Sequence, residues 1–139
     1  MSKILFNLVI GFILAAMTIQ SAMAQSGASF IKEGTLDGVR YLSGGVGLEE
    51  RAAMKDMVKD YNLKLVFAIS SGKYLSNLMV VIKDARGKLL LDMKSNGPWF
   101  LVKVPEGQYM ITVAHGEQKK VRRIEVGKGI QTVMFLWKP

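Results

Sequence analysis

From Asn62 to Trp137 apolar residues recur at every second position, and turn residues interrupt them at intervals of about ten residues. Leu63, Leu65, Phe67 and Ile69 alternate with Lys64, Val66 and Ala68, which predicts a half-buried strand. Ser70-Ser71-Gly72-Lys73 turns the chain into a second strand with Leu78, Val80 and Ile82 inward, and Asp84-Ala85-Arg86-Gly87 turns it into a third at Lys88–Met93. Trp99–Val104 and Gln108–His115 follow, joined by Pro105-Glu106-Gly107. There proline presets a turn φ and glycine permits φ > 0, so the pair reads as a hairpin. Gly116-Glu117 leads into Gln118–Val126, and Gly127-Lys128-Gly129 into Ile130–Trp137. Short strands with turn chemistry at each junction predict an all-β fold, a seven-stranded antiparallel β-sandwich over residues 62–139.

Before this region the period changes. Met54, Met57, Val58 and Tyr61 share one face at helical spacing, with Glu49 and Glu50 in the first turn and Lys59 near the end, so residues 48–61 read as one short amphipathic helix. Arg51, Lys55 and Lys59 on the outer face invite a membrane-surface reading, but Asp56 and Asp60 dilute that face, and packing against the strands is the expectation. Residues 25–47 are rich in Gly and Ser with scattered apolar positions, and are expected to form a flexible linker or arm. Ser43-Gly44-Gly45-Val46-Gly47 lacks the lysine and hydroxyl residue of a phosphate loop, which leaves Gly47 as a helix cap. Lys3, the apolar run Ile4–Met17 and Ala22-Met23-Ala24 predict a secretory signal over residues 1–24, too short in its apolar run for a retained membrane span.

Export without cysteine points to a bacterial periplasm or exterior, and it excludes disulfides, zinc-thiolate sites and thiol nucleophiles. The net charge of +8 favours anionic surroundings. For an exported chain these are envelope proteins, anionic glycans or lipid surfaces, whereas a nucleic-acid reading lacks exposed aromatics interleaved with the basic run. That run is Lys119, Lys120, Arg122 and Arg123, and its apolar parity switches between Val121 and Ile124. The switch predicts a bulge, and charges on both sides predict an edge strand defended against pairing. Together with His115 at the end of the preceding strand, these residues are the candidate partner-binding set.

Chemistry is otherwise sparse. His115 has the parity of Val113 and reads as a rim residue bonded to a carbonyl, without an evident nucleophile or orienting group. Asp84 reads as a turn former and Asp92 as a solvated strand residue, with no long loop to build a sugar cleft between them. Trp99, Phe100, Tyr109 and Trp137 alternate as core residues do, with Trp99 or Phe100 expected partly outside. No catalytic residue, metal site or cofactor is expected.

The order Gly72…Leu75-x-x-Leu78-x-Val80-x-Ile82-x-Asp84-x-x-Gly87, then Gly97…Val104-Pro105-x-Gly107-x-Tyr109-x-Ile111-x-Val113, resembles the carboxypeptidase regulatory-like family. The resemblance runs from Asn62 to Trp137 and departs at its start, where Asn62-Leu63-Lys64-Leu65 replaces the usual Gly-x-Val strand. It implies a transthyretin-like (prealbumin-like) Greek-key sandwich serving as a non-enzymatic binding module. A second expectation is an assembly factor that works by edge-strand pairing or by donating the 25–47 arm as a strand. A cryptic hydrolase would require a pocket joining His115 to a hydroxyl and a carboxylate.

Overall fold

The computed structural model describes residues 30–139; the expected leader, residues 1–24, lies outside them. Nine strands and one short helix follow in order: β1 (Lys32–Leu36), β2 (Val39–Gly44), α1 (Leu48–Met57), a 3₁₀ turn (Val58–Asp60), β3 (Leu63–Ile69), β4 (Met79–Asp84), β5 (Leu89–Lys94), β6 (Trp99–Lys103), β7 (Gly107–His115), β8 (Gln118–Val126) and β9 (Gln131–Trp137). One sheet has the order β1-β2-β6-β3-β9 and the other β5-β4-β7-β8. Leu63, Leu65, Phe67, Phe100 and Phe135 of the first sheet and Val80, Ile82, Ile111 and Val113 of the second are buried in one shared cluster. Period-two alternation is therefore spent on closing the two sheets against each other.

The strand count is nine rather than seven because part of the supposed arm is sheet. Residues 32–44 form a hairpin around Asp37-Gly38, both at positive φ (48° and 83°), the turn that an Asp-Gly pair favours. Gly34 lies where an added Cβ would press on the Tyr41 ring, so the glycine content that suggested looseness here admits close packing. β2 pairs with β6 and buries Leu42, while Ser43 Oγ accepts the Asn96 N–H at 2.7 Å.

Three further expectations are corrected. The Trp99–Val113 stretch is not a hairpin, since β6 and β7 belong to different sheets. β6 is buried on both faces and sits between β2 and β3, as a near-continuous apolar run requires, whereas the alternating β7 lies between β4 and β8. At the crossing, the Asn62 side chain accepts the Val104 N–H at 2.9 Å and donates to the Val104 carbonyl at 2.5 Å. The Tyr109 hydroxyl then donates to the Pro105 carbonyl at 2.6 Å. Second, the fold is not wholly antiparallel: Gly127–Ile130 returns the chain to the first sheet, and β9 runs parallel to β3 from Leu63↔Gln131 to Ile69↔Trp137. Third, β8 carries no bulge, because its register with β7 is continuous from Gly107↔Val126 to His115↔Gln118. Val121 simply faces outward at 54% exposure.

The helix packs as its pattern predicts, on the outer face of the five-stranded sheet. Met54, Tyr61, Leu42, Val66, Trp99 and Leu101 form a second buried cluster there, so Trp99 and Phe100 are both interior but on opposite faces of β6. Gly47 is the N-cap residue. Glu50 Oε2 accepts the Gly45 and Val46 N–H groups at 3.0 and 3.2 Å, and Arg51 Nη1 donates to the carbonyls of the same two residues. Glycine is required at position 97, where a Cβ would collide with the Gly44 carbonyl. None of the helices among the described residues is long and apolar enough to cross a membrane.

Candidate functional site

β8 pairs with β7 alone and is an edge of the four-stranded sheet, as its charges predict. The two-residue turn Gly116-Glu117, with Gly116 at φ 59°, sets His115 opposite Gln118 and fixes the side of every later residue. Lys119, Val121 and Arg123 fall on the outer face, and Lys120, Arg122, Ile124 and Val126 on the inner one. On that inner side only Val126 is fully buried, so Lys120 and Arg122 border the open margin between the sheets.

The structure brings three of the expected features together there. The Lys120 ammonium lies 5.8 Å from the Trp137 ring centroid, and the His115 ring meets Trp137 edge-on at 5.9 Å. Trp137 is itself buried, with its indole N–H unpartnered among the described residues. His115 is exposed and meets an aromatic ring rather than the expected carbonyl; no hydroxyl or carboxylate among the described residues is hydrogen-bonded to it.

Arg123 stands apart from this group, bordering a groove of about 440 Å³ lined also by Asp84, Gly87, Tyr109, Met110 and Glu125. Most of the polar atoms of that groove serve the fold. Asp84 Oδ1 accepts the Arg86 and Lys88 N–H groups at 2.9 Å, the turn-forming role its position predicts. Burial, then the Asp84 charge, raises the Tyr109 hydroxyl above its usual range, and that hydroxyl is the donor to the Pro105 carbonyl. Asp92 lies opposite Val81, several residues along the β4–β5 ladder from Asp84, so the two carboxylates do not form a pair.

Among the described residues no carboxylate lies within ion-pair distance of Lys119, Lys120, Arg122 or Arg123; the ion pair present joins Arg40 to Glu33 at 3.6 Å, on β2 and β1. The four cations are thus exposed or half-exposed, two on each face of one edge strand, and without a carboxylate partner among the described residues, an arrangement able to attract an anionic surface. No group of three or more His, Asp or Glu residues suited to a metal ion occurs among the described residues.

Sequence reasoning missed a second cationic feature. Lys64 on β3 lays its ammonium over the Trp99 ring at 3.4 Å; burial, then the neighbouring Lys55 charge, lowers its pKa. The signal was available only across elements, since Lys64 and Trp99 meet through the β3–β6 ladder. No protein-family model matches the chain, and no curated protein matches it.

Proposed function

We propose that this chain is a non-enzymatic exported module that binds an anionic partner of the bacterial cell envelope through the β8 edge. The observation that carries the reading is the set of four cations without a carboxylate partner among the described residues, Lys119, Lys120, Arg122 and Arg123, on one edge strand. A transthyretin-like sandwich of the carboxypeptidase regulatory-like type supplies the scaffold, an assignment supported by the order of turns along β3–β9 and by the core shared between the two sheets. Periplasmic location is supported by the leader-like residues 1–24 and the absence of cysteine. The module holds its partner by charge and shape, without turnover.

Replacing the four cations by Gln tests this. Four exposed ion pairs at about 0.3–0.5 kcal/mol each correspond to roughly tenfold in affinity at low ionic strength. The variant is expected to be retained about tenfold less by isolated outer-membrane material, with a flatter dependence on salt. Equal retention of both proteins at every salt concentration would refute the reading.

A further inference from the structure

A sheet edge exposes a row of hydrogen-bonding groups, and folds defend such edges with charge, proline, irregularity or cover. Among the described residues the two sheets have four edges, and three of them are defended. β8 carries its four cations, β5 carries Asp92 and Lys94 beside a register shift at Ile82/Lys83, and β1 opens with Lys32-Glu33 and contains Gly34. β9, Gln131–Trp137, has no charge, no proline and no glycine.

Its bonded side reveals which groups it leaves free among the described residues. The Gln131 N–H donates to the Asn62 carbonyl at 2.9 Å, and the Ser70 N–H donates to the Trp137 carbonyl at 2.8 Å, so the odd-numbered residues of β9 face β3. Along an extended strand the direction of the peptide groups alternates with each residue. Thr132, Met134 and Leu136 therefore direct their N–H and C=O groups away from the sheet. Their side chains lie on the outer face, opposite Phe135 and Trp137, and Met134 and Leu136 are 51% and 44% exposed.

We infer that β9 is a self-association strand, pairing antiparallel with β9 of a second copy about a two-fold axis at Met134. This register sets Met134 against Met134 and Thr132 against Leu136, so every free N–H and C=O of the three residues gains a partner and the exposed apolar side chains cover one another. Moving the axis by one residue places Leu136 or Thr132 against chain beyond the strand. A second copy is favoured as occupant because the segment is self-complementary and uncharged. In a chain of net charge +8 it joins two copies without setting cation on cation within the new ladder, since Lys138 falls opposite Ile130. β8 in the same arrangement would set Arg122 on Arg122.

One consequence gives the pairing a distinctive salt dependence. The contacts of Lys120 and His115 with Trp137 place β8 beneath β9 at the same open margin, so joining the β9 strands brings two basic β8 edges side by side in the layer below. Their repulsion weakens as salt screens it, and association should strengthen with ionic strength, opposite to the behaviour proposed for envelope binding.

Sedimentation of the protein recovered from cells expressing the full sequence, at micromolar concentration and in low and high salt, tests the inference. The expected result is a dimer whose share rises with salt. Met134→Lys and Leu136→Lys each raise the dissociation constant about tenfold or more, because the first sets lysine against lysine and the second removes an apolar side chain and places a charge opposite Thr132, beside the Met134 pair. Near-UV circular dichroism spectra matching the parent's show that the monomer fold of these outward-facing variants is intact, since loss of the dimer itself lowers the apparent melting temperature. The Gln variant of the β8 cations should dimerise more tightly while losing envelope retention, which separates this inference from the proposed function. A monomer at every salt concentration, or a dimer indifferent to both β9 lysine variants, overturns it.

Discussion

Asn62 performs at one position what a strand does over several. Its amide satisfies both the N–H and the C=O of Val104 where the chain leaves one sheet for the other, and both residues are buried. Asn62→Leu preserves approximate volume but leaves two buried backbone groups without partners, each costing about 1–3 kcal/mol. A loss of about 2–6 kcal/mol is expected in the urea unfolding free energy. Tyr61 makes a prediction about pH: burial first, then the hydrogen bond to Glu33 at 3.1 Å and that residue's charge, push its hydroxyl from 10.0 up to about 12. The fold holds the phenol protonated through an interval in which the unfolded chain ionises it. Its contribution to stability is thus complete below pH 10 and lost between pH 10 and about 12. Tyr61→Phe should flatten the fall of the urea midpoint across that window; an identical slope in both proteins would show that Tyr61 does not cause it.

The helix shows how element-scale packing follows from pattern. Met54 is fully buried under α1, whereas Leu48, at its first position, is 79% exposed. Met54→Ala is expected to cost about 2–4 kcal/mol and Leu48→Ala less than about 0.5 kcal/mol, both read from urea unfolding. Elements were the most legible level of this molecule, because periods of two and of helical spacing are local properties of the chain. β3–β9 and α1 stand close to where alternation and turns put them. The hairpin β1–β2 escaped notice for a physical reason. Its glycines suggested chain entropy, while Asp37-Gly38 supplied a turn and Gly34 supplied room for a ring from the opposite strand. Glycine content distinguishes a loose segment from a closely packed one only when its neighbours across the sheet are known.

Partnership between elements was far less legible. The same Pro105-Glu106-Gly107 chemistry serves a hairpin and a crossing between sheets, and the choice fell to the double burial of β6 and to the side chain of Asn62 far upstream. Likewise Val121 and Ile124 mark two sides of a regular strand rather than a bulge, because at an edge an apolar residue can remain in water. The basic candidate residues were visible as a run, but Trp137 as their common neighbour depended on β9 returning parallel to β3. Tyr109→Phe probes the crossing at the scale of the whole molecule: it removes the bond to Pro105 and should cost about 1 kcal/mol. A loss confined to one sheet in amide exchange would show that the crossing does not couple the two.

The five-stranded sheet also carries its own pair of optical reporters. Trp99 sits on the face beneath the helix with the Lys64 ammonium against it, and Trp137 sits on the face turned toward the other sheet. Because the chain contains two tryptophans in all, Trp99→Phe and Trp137→Phe each leave a lone emitter on one side of the same layer. Undocking of the helix would then alter one emission spectrum and opening of the core the other, so the order of those events can be followed without any attached dye.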